Sequence, residues 1–270
     1  MKLFSERFLV LLSNLYKNRR FIFKQNSFSK TLRLIKSTFK SFLTFLFPDC
    51  CIICSSEEEL VEHCMCKPCR NEVHLLKDHL HCYCCGKKMK TSNLCITCAA
   101  SKPKFNEAKA VFVYNAYVSV FMQKIKFHDG TFITKSLAKM ILGHFKEDLE
   151  KCDFIIPVPI HRVRLFRRQY NQVALIAMQL AKLIHVKVRL DVLHKIKNTP
   201  SQLNLSTHQR KTSLQDVFTV GNQAGIKDAS IILLDDVITT GTTVSRCADA
   251  LSKYNPKKIV VIAIARSILY

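Results

Sequence analysis

The 270-residue chain lacks several features that would assign it to a common class. No run of about 18 apolar residues occurs, which excludes a transmembrane helix. The basic N-terminus lacks the small-residue cleavage site of a secretory signal. GxxxxGK followed by Ser or Thr and GxGxxG are both missing, which disfavours a P-loop NTPase and a Rossmann enzyme. We therefore expect a cytoplasmic protein, with peripheral attachment to the inner membrane surface as an option.

Acidic residues are also scarce. There are 20 Asp and Glu against 42 Lys and Arg, a formal net charge of +22. Such an excess favours an anionic partner, namely nucleic acid, a phosphorylated small molecule or an acidic membrane surface. Hydrophobic residues make up 48% of the chain, so a folded protein is expected despite the charge.

Three zones differ in composition. Residues 1–47 form a basic extension, in which apolar residues at helical spacing between Leu32 and Leu43 predict an amphipathic helix. This helix either packs on the next zone or binds a membrane surface or nucleic acid. Residues 48–104 are rich in cysteine. Residues 105–270 alternate short apolar strands with helices, which predicts an α/β domain with a parallel sheet flanked by helices.

The middle zone holds 11 of the 13 cysteines, between Cys50 and Cys98. Eight of them form four CxxC pairs, and two such pairs supply the four thiolates of a tetrahedral zinc site. The spacing predicts two structural Zn²⁺ sites, a double zinc ribbon, rather than disulfides or a redox CxxC. His63, His81, Cys50, Cys64 and Cys84 are alternative ligands, and an interleaved pairing stays open. The predicted ligands are Cys51, Cys54, Cys66, Cys69, Cys82, Cys85, Cys95 and Cys98.

The run from Ile231 to Thr243 predicts a strand, an acidic pair, a phosphate loop and a helix. Unpaired N–H groups at a helix N-terminus and the helix dipole attract phosphate. Asp235 and Asp236 lie about one sugar's width from the loop, so they are placed to accept hydrogen bonds from two ribose hydroxyls. The alternative is a solvated acidic turn before an ordinary threonine cap. The predicted loop residues are Thr239, Thr240, Gly241, Thr242 and Thr243.

This run closely resembles the phosphoribosyl-diphosphate (PRPP) signature of type I phosphoribosyltransferases. Other segments resemble the ComF family of competence proteins, in which such a domain follows a double zinc ribbon. These are the cysteine module from Pro48, residues 125–130, residues 157–172 and the segment with Thr199, Gln202, Leu205, Arg210 and Phe218. The chain departs from the family's pattern at Lys195 and Lys197, where arginine is common, and at Ser213, where asparagine is usual.

The resemblance implies a PRPP site with Mg²⁺, in which Asp235 and Asp236 are the catalytic pair. Arg164 and Arg168, with Arg162 and Arg167, are candidates for the diphosphate, and Lys126 is a further candidate. The alternative for the arginines is a solvated basic face or a nucleic-acid contact. Residues 195–211 suit a mobile lid.

Three functions remain open: an active transferase with an unassigned acceptor, a PRPP sensor, and a protein that binds single-stranded DNA. The family association is with uptake of transforming DNA, so other competence and DNA-processing proteins are expected partners.

Overall fold

The computed structural model describes residues 50–61, 64–91, 93–127, 133–197 and 217–267. These residues all belong to one compact unit that begins at Asp49. The helix predicted within residues 1–47 lies outside the described residues. So do His63, residues 128–130 of one motif, Thr199, Gln202, Leu205, Arg210, Ser213 and most of the predicted lid.

The described residues contain one five-stranded sheet and two sheets of two strands each. In chain order the strands are β1 (Leu60–Val61), β2 (Met65–Cys66), β3 (Glu107–Val113), β4 (Phe154–Pro157), β5 (Lys187–Val188), β6 (Leu193–Lys195), β7 (Phe218–Val220), β8 (Ser230–Ile238) and β9 (Lys258–Arg266). Five of them form a sheet in the order β3-β9-β8-β4-β5, and every neighbouring pair is parallel. This confirms the α/β prediction.

The central strand β8 is buried on both faces, as its unbroken apolar run predicts. Ile232 and Leu234 join the core on one face, and Ile231 and Leu233 join the core on the other. None of these four side chains is more than 1% exposed. The sheet therefore needs a layer of structure on each side.

Helices supply those layers. They are α1 (Lys67–Asn71), α2 (Ile96–Ala100), α3 (Ala116–Phe127), α4 (Ile133–Glu150), α5 (Arg162–Arg168), α6 (Gln172–Ile184) and α7 (Thr242–Ser252). Apolar side chains of α3, α4 and α6 share the core with Ile232, and those of α7 share the core with Ile231. Helix α5 was not predicted; it has no buried residue, so it carries no apolar periodicity.

The cysteine module covers the edge strand β3. Leu75 forms an antiparallel bridge with Phe112. The Val113 N–H donates to the His74 carbonyl at 2.9 Å, and the Ala108 N–H donates to the Cys84 carbonyl at 2.7 Å. These bonds satisfy an edge that would otherwise present unpaired backbone groups. Cys51, Cys66 and Cys69 pack in the core of one face, and Cys82, Cys95 and Cys98 in that of the other.

Candidate functional site

The predicted phosphate loop lies between β8 and α7, at the carboxyl end of the sheet. Strand β8 runs on through the acidic pair to Ile238, because its pairing with β9 continues to Arg266. Gly241 then turns the chain with a φ of 81° and caps α7, without a side-chain capping bond. The first N–H groups of α7 therefore face the loop, where an anion satisfies them best.

Gly241 is the residue on which this turn depends. Its positive φ is readily adopted by glycine and costs any β-branched residue. Among the described residues, a Cβ built at this position would have only one neighbour within 4 Å, the Ile238 Cγ2 atom at 3.9 Å. The described residues therefore leave space for a ligand beside the loop.

The acidic pair occupies two different environments. Asp236 receives three contacts: an ion pair from the Lys126 ammonium at 2.9 Å, a hydrogen bond from Gln172 Nε2 at 2.9 Å and one from the Val237 N–H at 2.6 Å. Burial alone would raise the pKa of Asp236, but Lys126 and these donors lower it below the usual value. Asp236 is therefore the ionised member of the pair.

Asp235 behaves in the opposite way. It is 7% exposed, and its Oδ1 accepts a hydrogen bond from the Asp236 N–H at 2.8 Å. Burial, and then the charge of Asp236, raise the pKa of Asp235 well above the usual value. Two adjacent buried carboxyl groups do not both ionise easily, so the pair holds a proton that a cationic ligand group or a metal ion would displace.

Cationic side chains surround the pair. Arg164 and Arg168 are half-buried on α5, whereas Arg162 and Arg167 are exposed. Burial lowers the pKa of Arg168. The negative charge of Asp236 raises this pKa, and the positive charge of Arg164 lowers it further. The structure thus pairs Lys126 with Asp236 and places Arg168 where the charges of Asp236 and Arg164 both act on it.

Two residues near the pair were not among the predicted site residues. Lys195 on β6 has a pKa lowered by burial and by Arg164, and the charge of Asp235 acts on it in the opposite sense. Gln172 is 1% exposed, and its Oε1 has no hydrogen-bond partner among the described residues. Gln172 is the first residue of α6, and the sequence alone does not mark it as buried, since Gln179 and Lys182 of the same helix are also polar.

The eight CxxC cysteines lie in two groups of four, and in each group all the Sγ atoms are within 4.8 Å of one another. The first pair meets the second and the third meets the fourth, so the pairs are not interleaved. The groups are Cys51, Cys54, Cys66 and Cys69, and Cys82, Cys85, Cys95 and Cys98.

The geometry of both groups fits zinc. A tetrahedron with Zn–S bonds of 2.3 Å has S–S edges of about 3.8 Å. The Cys54 and Cys66 sulfurs are 3.6 Å apart, and the Cys85 and Cys95 sulfurs are 3.8 Å apart. Burial alone would raise the pKa of Cys82, but backbone N–H groups, that of Cys95 among them, lower it to about 7. Each group could bind one Zn²⁺ through thiolates.

Of the alternative ligands, Cys50, Cys64, Cys84 and His81 are described by the structure, and all four lie outside these groups. Cys64 is buried in the core with its Sγ 3.5 Å from the Met140 sulfur, and burial raises the pKa of Cys84. His81 Nδ1 is 2.7 Å from the His79 carbonyl oxygen. The structure therefore favours thiolates at all eight positions.

The chain is similar to known proteins over most of its length. Residues 121–268 match the family model of the phosphoribosyl transferase domain. Competence protein F of Haemophilus influenzae is 26% identical over 224 residues, which cover 80% of this chain and 96% of that protein. DNA utilization protein YhgH of Escherichia coli (strain K12) is 25% identical over 227 residues, covering 82% of this chain and 98% of that protein.

Solved structures were also compared. Glutamine PRPP amidotransferase from B. subtilis has a TM-score of 0.37 and 18% identity, covering 52% of this chain and 30% of that chain. Adenine phosphoribosyltransferase from Saccharomyces cerevisiae has a TM-score of 0.33 and 15% identity, covering 61% of this chain and 80% of that chain.

Within the described residues, no helix combines the length and the apolar character needed to cross a bilayer. The family match extends over more than half of the chain, and the curated relatives include competence protein F. The chain therefore belongs to the phosphoribosyl transferase domain family and, as its sequence motifs predicted, resembles the ComF proteins.

Proposed function

We propose that the chain binds PRPP as its Mg²⁺ complex between the phosphate loop and the acidic pair, and that it transfers the phosphoribosyl group. The observation that carries the proposal is the meeting of three features at one end of the sheet. These are a helix N-terminus that begins at the Gly241 turn, the carboxyl groups of the buried Asp235 and the half-buried Asp236, and the cations near them.

Each part of PRPP has a counterpart in this arrangement. The 5′-phosphate fits the loop, where the N–H groups of α7 and the hydroxyls of Thr239, Thr240, Thr242 and Thr243 supply donors. The ribose hydroxyls would donate to Asp235 and Asp236, the catalytic pair of the proposal. Charge-assisted bonds of this kind are stronger than those between neutral groups.

The cations suit the diphosphate. Lys126, Arg168 and Lys195 place positive charge near the two carboxyl groups, and Arg164 adds its charge beside Arg168, an arrangement that suits an anionic ligand. When the C1–O bond of PRPP breaks, negative charge grows on the leaving diphosphate, and cations placed in advance stabilise it. Mg²⁺ would supply further positive charge to the same oxygens.

The proposal is tested by titrating the full chain with Mg²⁺-PRPP in a calorimeter, using two matched glycine variants. Gly241→Val should abolish measurable binding, because valine is strained at this φ and fills the space beside the loop. Gly225→Val is the control, since Gly225 has a similar φ of 76° with nothing within 4 Å. Equal loss of PRPP binding in both variants would mean that backbone strain alone explains the effect.

A second candidate function is binding of single-stranded DNA, possible either with or without phosphoribosyl transfer. Phe166 on α5 is 88% exposed, and it lies between the exposed residues Arg162 and Arg167. An exposed aromatic ring beside arginines suits base stacking combined with phosphate contacts. Two relatives carry names that refer to competence and to DNA utilization, and this function would also bring other DNA-processing proteins into contact with the chain.

Salt and side-chain substitution separate this function from simple charge attraction. Affinity for single-stranded DNA should fall steeply between low and physiological salt, as counterions are released. Phe166→Ala should weaken binding by about ten-fold at constant salt, because a stacked base contributes about 1–3 kcal/mol. Val163→Ala, also an exposed α5 residue, is the control. A Phe166→Ala variant that binds as tightly as the control would exclude stacking at this helix.

A further inference from the structure

Arg266 at the end of β9 is an unusual charge for the interior of a protein. It is 3% exposed, and its Nε and Nη1 atoms have no hydrogen-bond partner among the described residues. Its Nη2 atom lies 3.8 Å from the Cys85 sulfur. A buried guanidinium without a negative partner is strongly unfavourable, so its charge requires compensation nearby.

The second cysteine group supplies that compensation. Cys85, whose sulfur is 3.8 Å from Arg266 Nη2, belongs to the group with Cys82, Cys95 and Cys98, in which all four sulfurs lie within 4.8 Å of one another. One Zn²⁺ with four thiolates has a net charge of about −2, by the charges of the ion and its ligands. With zinc bound, a buried anion and a buried cation would lie side by side, and each would reduce the cost of burying the other.

We propose that Arg266 is the counter-cation of the zinc centre at Cys82, Cys85, Cys95 and Cys98, and that it couples this centre to the phosphate loop. Arg266 is a positioning residue in this account. It acts on the loop through the strands rather than by touching a ligand. The coupling part of the proposal rests on the proposed PRPP function, whereas the counter-cation part does not.

The route from the zinc centre to the loop is short. Arg266 is paired in register with Ile238, the last residue of β8, and the Ser267 N–H donates to the Ile238 carbonyl at 2.9 Å. Ile238 is in turn the neighbour of the Gly241 position. A cavity of about 500 Å³ is lined by Cys85, Arg266, Ile238 and Gly241 together. Arg266 therefore lies between the thiols and the turn that presents the phosphate loop.

Gly86 shows how closely the two parts fit. It follows Cys85 with a φ of 68°, and a Cβ there would lie 2.7 Å from the Ala108 carbonyl oxygen and 3.4 Å from Arg266 Cδ. The knuckle of the zinc centre thus packs directly on the arginine stem. If the zinc were lost, thiolates of the group would gain protons and the buried guanidinium would lose part of its counter-charge. The ends of β8 and β9 would then move to solvate it.

The counter-cation is tested by zinc release from the full chain to a chromogenic chelator. In Arg266→Met, which keeps the length but removes the charge, one of two zinc equivalents should leave about ten-fold faster, the effect of losing one charge-assisted contact. Arg266→Lys should restore most of the slow release. Arg189→Met is the control, since Arg189 pairs with Asp191 at 2.9 Å. Identical release from wild type and Arg266→Met would overturn the proposal.

The coupling is tested by Mg²⁺-PRPP affinity before and after zinc is removed. Removal should weaken binding by about ten-fold or more in wild type and clearly less in Arg266→Met, since that variant has no stranded cation. Equal weakening in both proteins would refute the coupling. If zinc-loaded wild type fails to bind PRPP, the proposed function fails, and the release rates still decide whether Arg266 is the counter-cation.

Discussion

Asp235→Asn removes a buried carboxyl group with almost no loss of volume. Asp235 is 7% exposed and adjoins the ionised Asp236, so its pKa is raised above the unfolded value. Its contribution to stability is complete below the unfolded pKa and is lost as the pH rises through the folded pKa. At neutral pH Asp235 therefore lowers the free energy of unfolding of the ligand-free protein, and a neutral amide at this position should remove that loss.

The size of the effect follows from linkage. A difference of one pKa unit between the folded and unfolded states corresponds to about 1.4 kcal/mol of stability. Asp235→Asn should therefore raise the free energy of unfolding at pH 7 by about 1–3 kcal/mol. The gain should shrink toward zero as the pH approaches about 4, near the unfolded pKa. Denaturant unfolding of the ligand-free full chain at several pH values measures both quantities. The same variant should bind Mg²⁺-PRPP more weakly.

Asp236→Asn provides the matched control with the opposite sign. The pKa of Asp236 is lowered by Lys126 and its hydrogen-bond donors, although burial opposes them. Its contribution to stability is therefore present above the unfolded pKa and is lost as the pH falls. Asp236→Asn should destabilise the protein at pH 7. An Asp235→Asn variant that is less stable than wild type at pH 7, or a gain that does not change with pH, would refute the reasoning.

Three further predictions concern the cysteine module. Elemental analysis should find two zincs per chain in wild type and one in Cys54→Ser. Cys64→Ser is the control and should keep two zincs, because the Cys64 sulfur lies outside both groups. A wild-type protein without zinc would exclude both centres. Gly86→Ala should lower the free energy of unfolding by about 1–3 kcal/mol, because Gly86 has a positive φ and a Cβ there would meet the Ala108 carbonyl oxygen. A denaturant titration measures this, and unchanged stability would contradict it. Removal of zinc by a chelator should uncover Phe112 on β3, which the cysteine module covers. Limited proteolysis should then cleave β3 before β8. Simultaneous cleavage of the two strands would contradict protection of the sheet edge by the module.

Much of the sheet could be predicted because its strands are apolar on both faces. The apolar run Ile231 to Leu234 lies within Ser230–Ile238, and a second apolar run forms Lys258–Arg266. The strand continues for four residues beyond Leu234, through the acidic pair to Ile238. An apolar pattern predicts which residues are buried, so it does not extend to the acidic pair. Asp235 and Asp236 remain in the strand because β9 continues beside them.

The site was less predictable where a single polar side chain is buried by tertiary packing. The loop and the acidic pair form one local motif, so spacing was sufficient to find them. Gln172 and Arg266 lie far from Asp236 and Cys85 in the chain, and only the packing of α6 and of the cysteine module brings them together. No local pattern distinguishes such residues from ordinary surface polar groups.

The most direct test of the account is calorimetric titration of the full chain with Mg²⁺-PRPP, comparing wild type with the Asp235→Asn/Asp236→Asn double variant. Each carboxylate bond to a ribose hydroxyl contributes about 1.5–3 kcal/mol, so we expect saturable binding in wild type and a loss of about 100-fold or more in the double variant. Ribose 5-phosphate should compete in wild type. Equal PRPP affinity in the two proteins would contradict the assignment of Asp235 and Asp236 as the ribose site.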